Sequence, residues 1–181
     1  MNKSLWADLV KQLEMRWQDL LASVVQHVKL VSFSMLIAVV VGVTLGIVIT
    51  RVSLLRKWVL GAAGVLQTIP SLALLGFMIP FFGIGAQTAI AALFLYSLLP
   101  IIRNTFTGIR DVDKSVLEAA RGMGMTDWQI LYKVELPLSL SVIMAGIRTA
   151  TVINVGTATL AAFIGAGGLG DFIFLGISRN I

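Results

Sequence analysis

The 14 basic and 9 acidic residues of this chain avoid three long windows, residues 30–50, 58–102 and 149–170. The windows are 21, 45 and 22 residues long and hold no Asp, Glu, Lys or Arg. A hydrocarbon layer about 30 Å thick is crossed by about 20 apolar residues in a helix. The windows therefore have room for one, two and one crossings. Composition agrees, with 57% of the 181 residues hydrophobic and 13% charged, where a soluble domain carries about 25% charged. The expected fold class is an all-α membrane protein, and a soluble enzyme is excluded.

Other classes fall away on residue type. There is no cysteine and a single histidine, His27, so disulfides, thiolate metal sites and multi-histidine metal sites are excluded. The first 29 residues carry Lys3, Asp8, Lys11, Glu14, Arg16, Asp19 and Lys29, which is no pattern for a cleaved signal peptide. A net charge of +5 points to a cytoplasmic face and anionic lipid heads rather than to nucleic acid, because the cations are scattered and not interleaved with aromatics.

Residues 1–29 place Trp6, Leu9, Val10, Leu13, Trp17, Leu20, Leu21, Val24 and Val28 at helical spacing with charges between them. They form a first unit, an amphipathic helix that lies in the membrane interface or packs on another subunit. Residues 30–181 form the second unit, a transmembrane domain. Its first span, residues 30–50, ends at Arg51, Arg56 and Lys57, which the positive-inside rule places in the cytoplasm. A second span is expected over 58–79 and a third over 88–102, separated by Pro80 and the glycines of residues 83–85. The third is short, so an earlier helix start or a thinned membrane is expected. A cytoplasmic loop covers residues 103–135, and a fourth span starts after Pro137. With an outside start, four spans leave the carboxyl end outside.

The loop carries the most information. Ser115 and Glu118 have capping-box spacing, as do Thr126 and Gln129. Two short helices are expected, the first ended by Gly122 and Gly124 and the second closed by Leu136 and Pro137. Small residues at the elbow between them let another protein's surface approach the backbone.

Glu118-Ala119-Ala120, then Gly124, then Val134, Leu136 and Pro137 resemble the E-A-A-x3-G-x9-I-x-L-P loop of ABC importer permeases, with Val134 in the isoleucine place. The resemblance extends along the chain. His27 to Val31, Gly46 to Arg51, Gln67 to Ser71, Leu99 to Asn104 and Gly165 to Gly170 look like the glycine betaine/carnitine/choline subfamily.

It implies a type I, methionine-importer-like fold in a bacterial inner membrane, with about four spans in this sequence and a fifth beyond it. It also implies that Glu118, Ala119, Ala120 and Gly124 dock on an ATPase subunit, while Leu136 and Pro137 set the following helix. The implied partners are two ATPase subunits holding ATP and Mg, a second permease chain, identical or sister, and an extracytoplasmic binding protein. The chain itself would hold no cofactor. No G-x4-G-K-[ST] occurs. The G-x-G-x-x-G of residues 165–170 follows an apolar span rather than a strand and precedes no acid at the required distance, so it reads as a bend. Other cargo on the same fold, such as an amino acid, an ergothioneine-like compound or a bile salt, stays open. A secondary transporter or channel would call for buried coupling charges, which the three windows lack.

Polar groups at membrane depth face a cavity or another helix. Gln67, Thr68, Pro70, Ser71, Tyr96, Asn154 and Thr157 are the candidates for a translocation pathway at a dimer interface. Hydrogen bonding between helices is the alternative. Pro70 removes a backbone donor and should free a carbonyl in the second span. Arg148 lies about 16 Å along its helix from Pro137, either pairing across a dimer axis or snorkelling to the cytoplasmic face. Gly42 and Gly46 form a G-x3-G packing face. Aromatics for a quaternary amine are few, with Tyr96 and Tyr132 the only tyrosines. Tight recognition is thus expected in the binding protein, and a weak conduit here.

Overall fold

The computed structural model describes the backbone of residues 2–178 and the side chains of residues 14–178. It is helical throughout, without strands among the described residues. Helix α1 runs Asn2–Arg51, α2 Ser53–Thr68, α3 Ser71–Phe82 and α4 Ala86–Arg110. Two short helices, α5 (Lys114–Gly122) and α6 (Asp127–Ile130), lead through a π-helical turn, Leu131–Glu135, into α7 (Leu136–Leu160). A 3-10 turn, Ala161–Ile164, and α8 (Leu169–Ser178) complete the described chain.

Three stretches are long and apolar enough to cross a membrane: Glu14–Arg51, Ala86–Arg110 and Asp127–Ile164. The broken pair α2–α3 makes a fourth if it counts as one span. Its two halves are bent by 106°, so the span expected over 58–79 is two helices rather than one. The cause is Pro70, which stands at φ −55°, ψ 138° and starts α3 rather than continuing α2. A proline forces the residue before it out of helical backbone, and Ile69 accordingly sits at φ −70°, ψ 128°.

Other boundaries move as well. Helix α1 passes Leu30 without a break, its one non-helical residue being Arg16 at φ −123°, ψ 16°, so residues 17–29 are continuous with the first span. Trp6, Leu9, Val10 and Leu13 lie outside the described side chains. In the described part, Trp17, Leu21, Val25 and Val28 are exposed, a stripe the chain itself leaves uncovered. The third span starts two residues earlier than expected and runs to Arg110. Residues 103–110 are therefore the last turns of α4, and the loop proper begins at Asp111.

The core is a slab of α1, α4 and α7. Leu30, Val31, Met35, Ala38, Leu93, Tyr96, Ile101, Ala150 and Ala158 meet there. Glycines bring the helices close. A β-carbon on Gly46 would come within 2.5 Å of Thr105 Cβ, and one on Gly42 within 2.8 Å of Ile101 Cγ2. The G-x3-G face of α1 is thus filled by α4. Gly146 of α7 is set against the Pro100 carbonyl and Asn104 in the same way. Without a hydrophobic drive between helices in lipid, such close packing holds them together.

The slab has two distinct ends. At one, Arg51 pairs with Glu135, while Arg56 and Arg110 both stand over the Phe106 ring. At the other, Gln26 Nε2 donates to the Ala166 carbonyl at 2.8 Å, and His27 Nε2 is 3.1 Å from the Val155 carbonyl. The Arg51–Lys57 cluster and the charged loop therefore share one end, as the positive-inside assignment requires. The glycine-rich elbow sits at the opposite end, where Gly165, Gly167 and Gly168 have φ of 68°, 75° and 92°. Such backbone suits glycine alone.

Candidate coupling and translocation site

Between α4 and α7 the loop folds into a compact hairpin whose caps come from its own side chains. Asp113, not Ser115, caps α5: its Oδ1 accepts from the Ser115 backbone N–H at 2.8 Å. The expectation of a capping box at Ser115 is thereby corrected. An aspartate two residues earlier offers a better acceptor at the N-cap position. That N–H, with the Ser115 hydroxyl second, holds the Asp113 carboxyl below its usual range. The cap is in place above the ordinary carboxylate pKa and is lost only as pH falls through the lowered one.

Helix α5 ends in a Schellman motif. Gly124 stands at φ 80°, its N–H donates to the Arg121 carbonyl, and Met125 N–H reaches back to Ala120. This is the 6→1 and 5→2 pattern, with the left-handed residue at the position after the cap. The second capping box is present: Thr126 N–H donates to Gln129 Oε1 at 2.9 Å, and Gln129 N–H to Thr126 Oγ1 at 3.4 Å.

Pro137 falls in the first turn of α7, but Leu136 and Pro137 do not close the helix before it. Pro137 has no N–H for the Lys133 carbonyl and its ring would clash there. The chain widens instead into the π turn Leu131–Glu135, where Leu136 N–H bonds the Leu131 carbonyl, and continues as one 38-residue run, Asp127–Ile164. The loop and the span after it are thus joined through a softened joint.

Glu118, Ala119 and Gly124 are exposed, and Ala120 is buried under them. Val134 and Leu136 are half-buried at the joint, and Pro137 is exposed. On the same loop Met123, Trp128 and Tyr132 are exposed to 76%, 74% and 69%. A loop that leaves three large apolar side chains in water presents a contact surface. Trp128 and Met123 were missed from the sequence, where an aromatic among charges was the available signal.

The pathway candidates divide. Tyr96 of α4 is buried, and its hydroxyl donates to the Ile69 carbonyl. This oxygen lacks a helical donor because the chain leaves helical backbone at Ile69; the carbonyl that the missing Pro70 N–H would itself free is that of Leu66, four residues back. Gln67 and Ser71 are half-buried beside it, Thr68 and Pro70 exposed. Asn154 is elsewhere and fully buried. Its Nδ2 donates to Ser34 Oγ of α1 at 3.2 Å, and its Oδ1 has no partner. It makes the helix-to-helix bond left open as the alternative. Thr157, three residues on, is half-buried.

Arg148 is exposed on a face of α7 that also bares Met144, Val152 and Val155. Gly146 packs on Pro100, and Pro100 lies about 15 Å along α4 from Arg110, so Arg148 is exposed well away from the charged end of the slab. No described carboxylate pairs with it.

Residues 38–180 match the family described as "Binding-protein-dependent transport system inner membrane component". The chain is 52% identical over 160 residues to the carnitine transport permease protein OpuCB of Listeria monocytogenes, covering 88% of this chain and 73% of the relative. It is 48% identical over 170 residues to the choline transport system permease protein OpuBB of Bacillus subtilis, covering 94% and 78%. With the osmoprotectant import permease protein OsmW of Salmonella typhimurium it shares 52% over 160 residues, covering 86% and 74%. Among solved structures, an inward-facing MetNI methionine ABC transporter superposes with a TM-score of 0.80 at 28% identity, covering 90% of this chain and 82% of that one. The fold is that of the transmembrane subunit of a type I importer.

Proposed function

This chain belongs to the family of binding-protein-dependent transport system inner membrane components, and from that premise we propose that it forms the translocation pathway of an importer for compatible solutes of the glycine betaine, carnitine and choline type. It is a membrane permease subunit and not an enzyme. The observation that carries the cargo is the agreement among relatives at 48–52% identity, named for carnitine, choline and osmoprotectants. Likeness to a methionine transporter is weaker, at 28%.

In this reading two copies, or this chain and a sister, enclose the pathway. Two ATPase subunits holding ATP and Mg seat the exposed α5–α6 surface, with Glu118, Ala119 and Gly124 at its centre and Met123, Trp128 and Tyr132 around them. Ala120, Val134, Leu136 and Pro137 shape the loop beneath. An extracytoplasmic binding protein delivers the solute. Gln67, Thr68, Pro70, Ser71 and Thr157, with the bare α7 face around Arg148, line the conduit. Tyr96 and Asn154 hold the helices that carry them. The exposed stripe Trp17, Leu21, Val25 and Val28 meets lipid.

Supporting this division of labour, neither tyrosine is placed to grip a quaternary ammonium, since Tyr96 is buried and bonded to Ile69 and Tyr132 lies in the π turn. A conduit must also release its cargo. The test is uptake into proteoliposomes holding this chain, its ATPase and its binding protein. Labelled glycine betaine, carnitine or choline should accumulate with ATP inside and not without it. Uptake of methionine or proline alone would overturn the cargo.

A further inference from the structure

Arg51 is the last residue of α1, and Glu135 is the last residue of the π turn. Their ion pair spans 84 positions of sequence. The other ion pair among the described residues, Arg16–Asp19, joins neighbours on one helix. The Glu135 side chain is 5% exposed and that of Arg51 is 42%. A carboxylate so buried is retained only with a partner, since a lone buried charge is costly.

The place of the pair matters more than its strength. Force from an ATPase on the α5–α6 surface has to reach α7 through Leu131–Glu135 and Pro137, a wide π turn followed by a missing backbone donor. Such a joint bends. Glu135 sits within it, two residues before Pro137, and is tied sideways to α1. The other end of α1 is tied to the same helical run, through Ser34 to Asn154 and His27 to Val155. From His27 to Arg51 is about 36 Å of helix, a whole membrane thickness. Helix α1 is therefore a rod fastened at both ends alongside α7, and it bypasses the soft joint.

We propose that the Arg51–Glu135 pair is a positioning element for energy coupling: it locks α1 to the coupling loop so that the two move as one body. The inference rests on the proposed docking of an ATPase at that loop. Neither residue touches solute in this account; both act through α1.

The chain has no cysteine, so spin labels attach only where cysteines are introduced. Labels at Val48 of α1 and Val116 of α5, both exposed and neither assigned to the ATPase contact, report the separation of the two parts. In the complex assembled with its ATPase and with both labels on one permease copy only, that separation should stay single with and without a non-hydrolysable ATP analogue. The double variant Arg51→Gln/Glu135→Gln removes both charges, leaves none buried alone, and keeps amides that still hydrogen-bond. It should assemble normally, yet show a second separation when the analogue binds. Glycine betaine moved per ATP should fall about 2- to 30-fold, the range of mutations along a coupling network. Arg51→Lys, which keeps the charge, should restore the single separation. A single, unchanged separation in the assembled double variant overturns the inference. A wild-type chain that recruits no ATPase overturns the docking reading and this inference with it, and the assembly step separates that failure from the first.

Discussion

The hydroxyl of Tyr96, in the middle of α4, donates its hydrogen to the carbonyl of Ile69, where α2 ends. The bond joins the break in one helix to the side of another. In a continuous helix the Ile69 carbonyl would accept from four residues on; Pro70 ends that pattern and Tyr96 replaces the lost donor. Tyr96→Phe keeps the ring and removes only the donor. Leaving a buried acceptor unmet costs about 1–3 kcal/mol. The melting temperature in detergent should fall, and amide exchange should rise around residues 66–72 more than in α7.

Gly46 and Gly61 separate packing from conformation. Gly46 meets Thr105 at 2.5 Å from where a β-carbon would stand, whereas Gly61 has nothing within 4 Å. Gly46→Val should destabilise the protein by about 1–3 kcal/mol through overpacking. Gly61→Ala should leave it unchanged or gain up to about 1 kcal/mol in helix propensity. Thermal unfolding of both variants in the same detergent checks the contrast.

Asn154 is held by Ser34 and leaves its own oxygen unpaired. Ser34 also donates to the Val31 carbonyl, so it does not depend on Asn154. Asn154→Leu replaces a half-satisfied buried amide with an apolar group of similar size, which can be nearly neutral. Stability should change by less than about 1.5 kcal/mol, and uptake should persist. A loss of uptake with stability intact would place Asn154 on the pathway.

Gly124 at φ 80° forms the turn of the coupling loop, while Gly122 is the last residue of α5, also with open space around it. A side chain at left-handed backbone costs about 1–2 kcal/mol. Gly124→Ala should therefore unsettle the Schellman turn and weaken ATPase association several-fold, and Gly122→Ala should not. Binding of the purified ATPase to each variant in nanodiscs distinguishes them.

Much of this architecture was legible before any coordinates. Charge-free windows mark where backbone must satisfy itself in lipid, and that constraint acts locally. The Thr126–Gln129 box and the Gly124 turn are likewise written in a few adjacent residues. Breaks and ties were less legible. Pro70 announced a break, but its 106° angle and the Tyr96 hydroxyl that meets the Ile69 carbonyl come from residues distant in sequence. Pro137 looked like a helix stop because proline removes one donor; that a widened π turn absorbs the loss is signalled by no adjacent residue type. Asn154 could as well have faced solute as Ser34, since periodicity places a residue on a face and does not say what covers it.

The central claim is that the α5–α6 surface seats an ATPase. Co-purification of the cognate ATPase with the tagged permease tests it most directly, comparing wild type with Glu118→Lys. Glu118 is exposed, so its replacement leaves the fold standing while reversing the charge at the centre of the contact. The account predicts that the ATPase is retained by the wild type and lost or strongly reduced with Glu118→Lys at equal permease yield. Undiminished recovery with both Glu118→Lys and Gly124→Trp would contradict it.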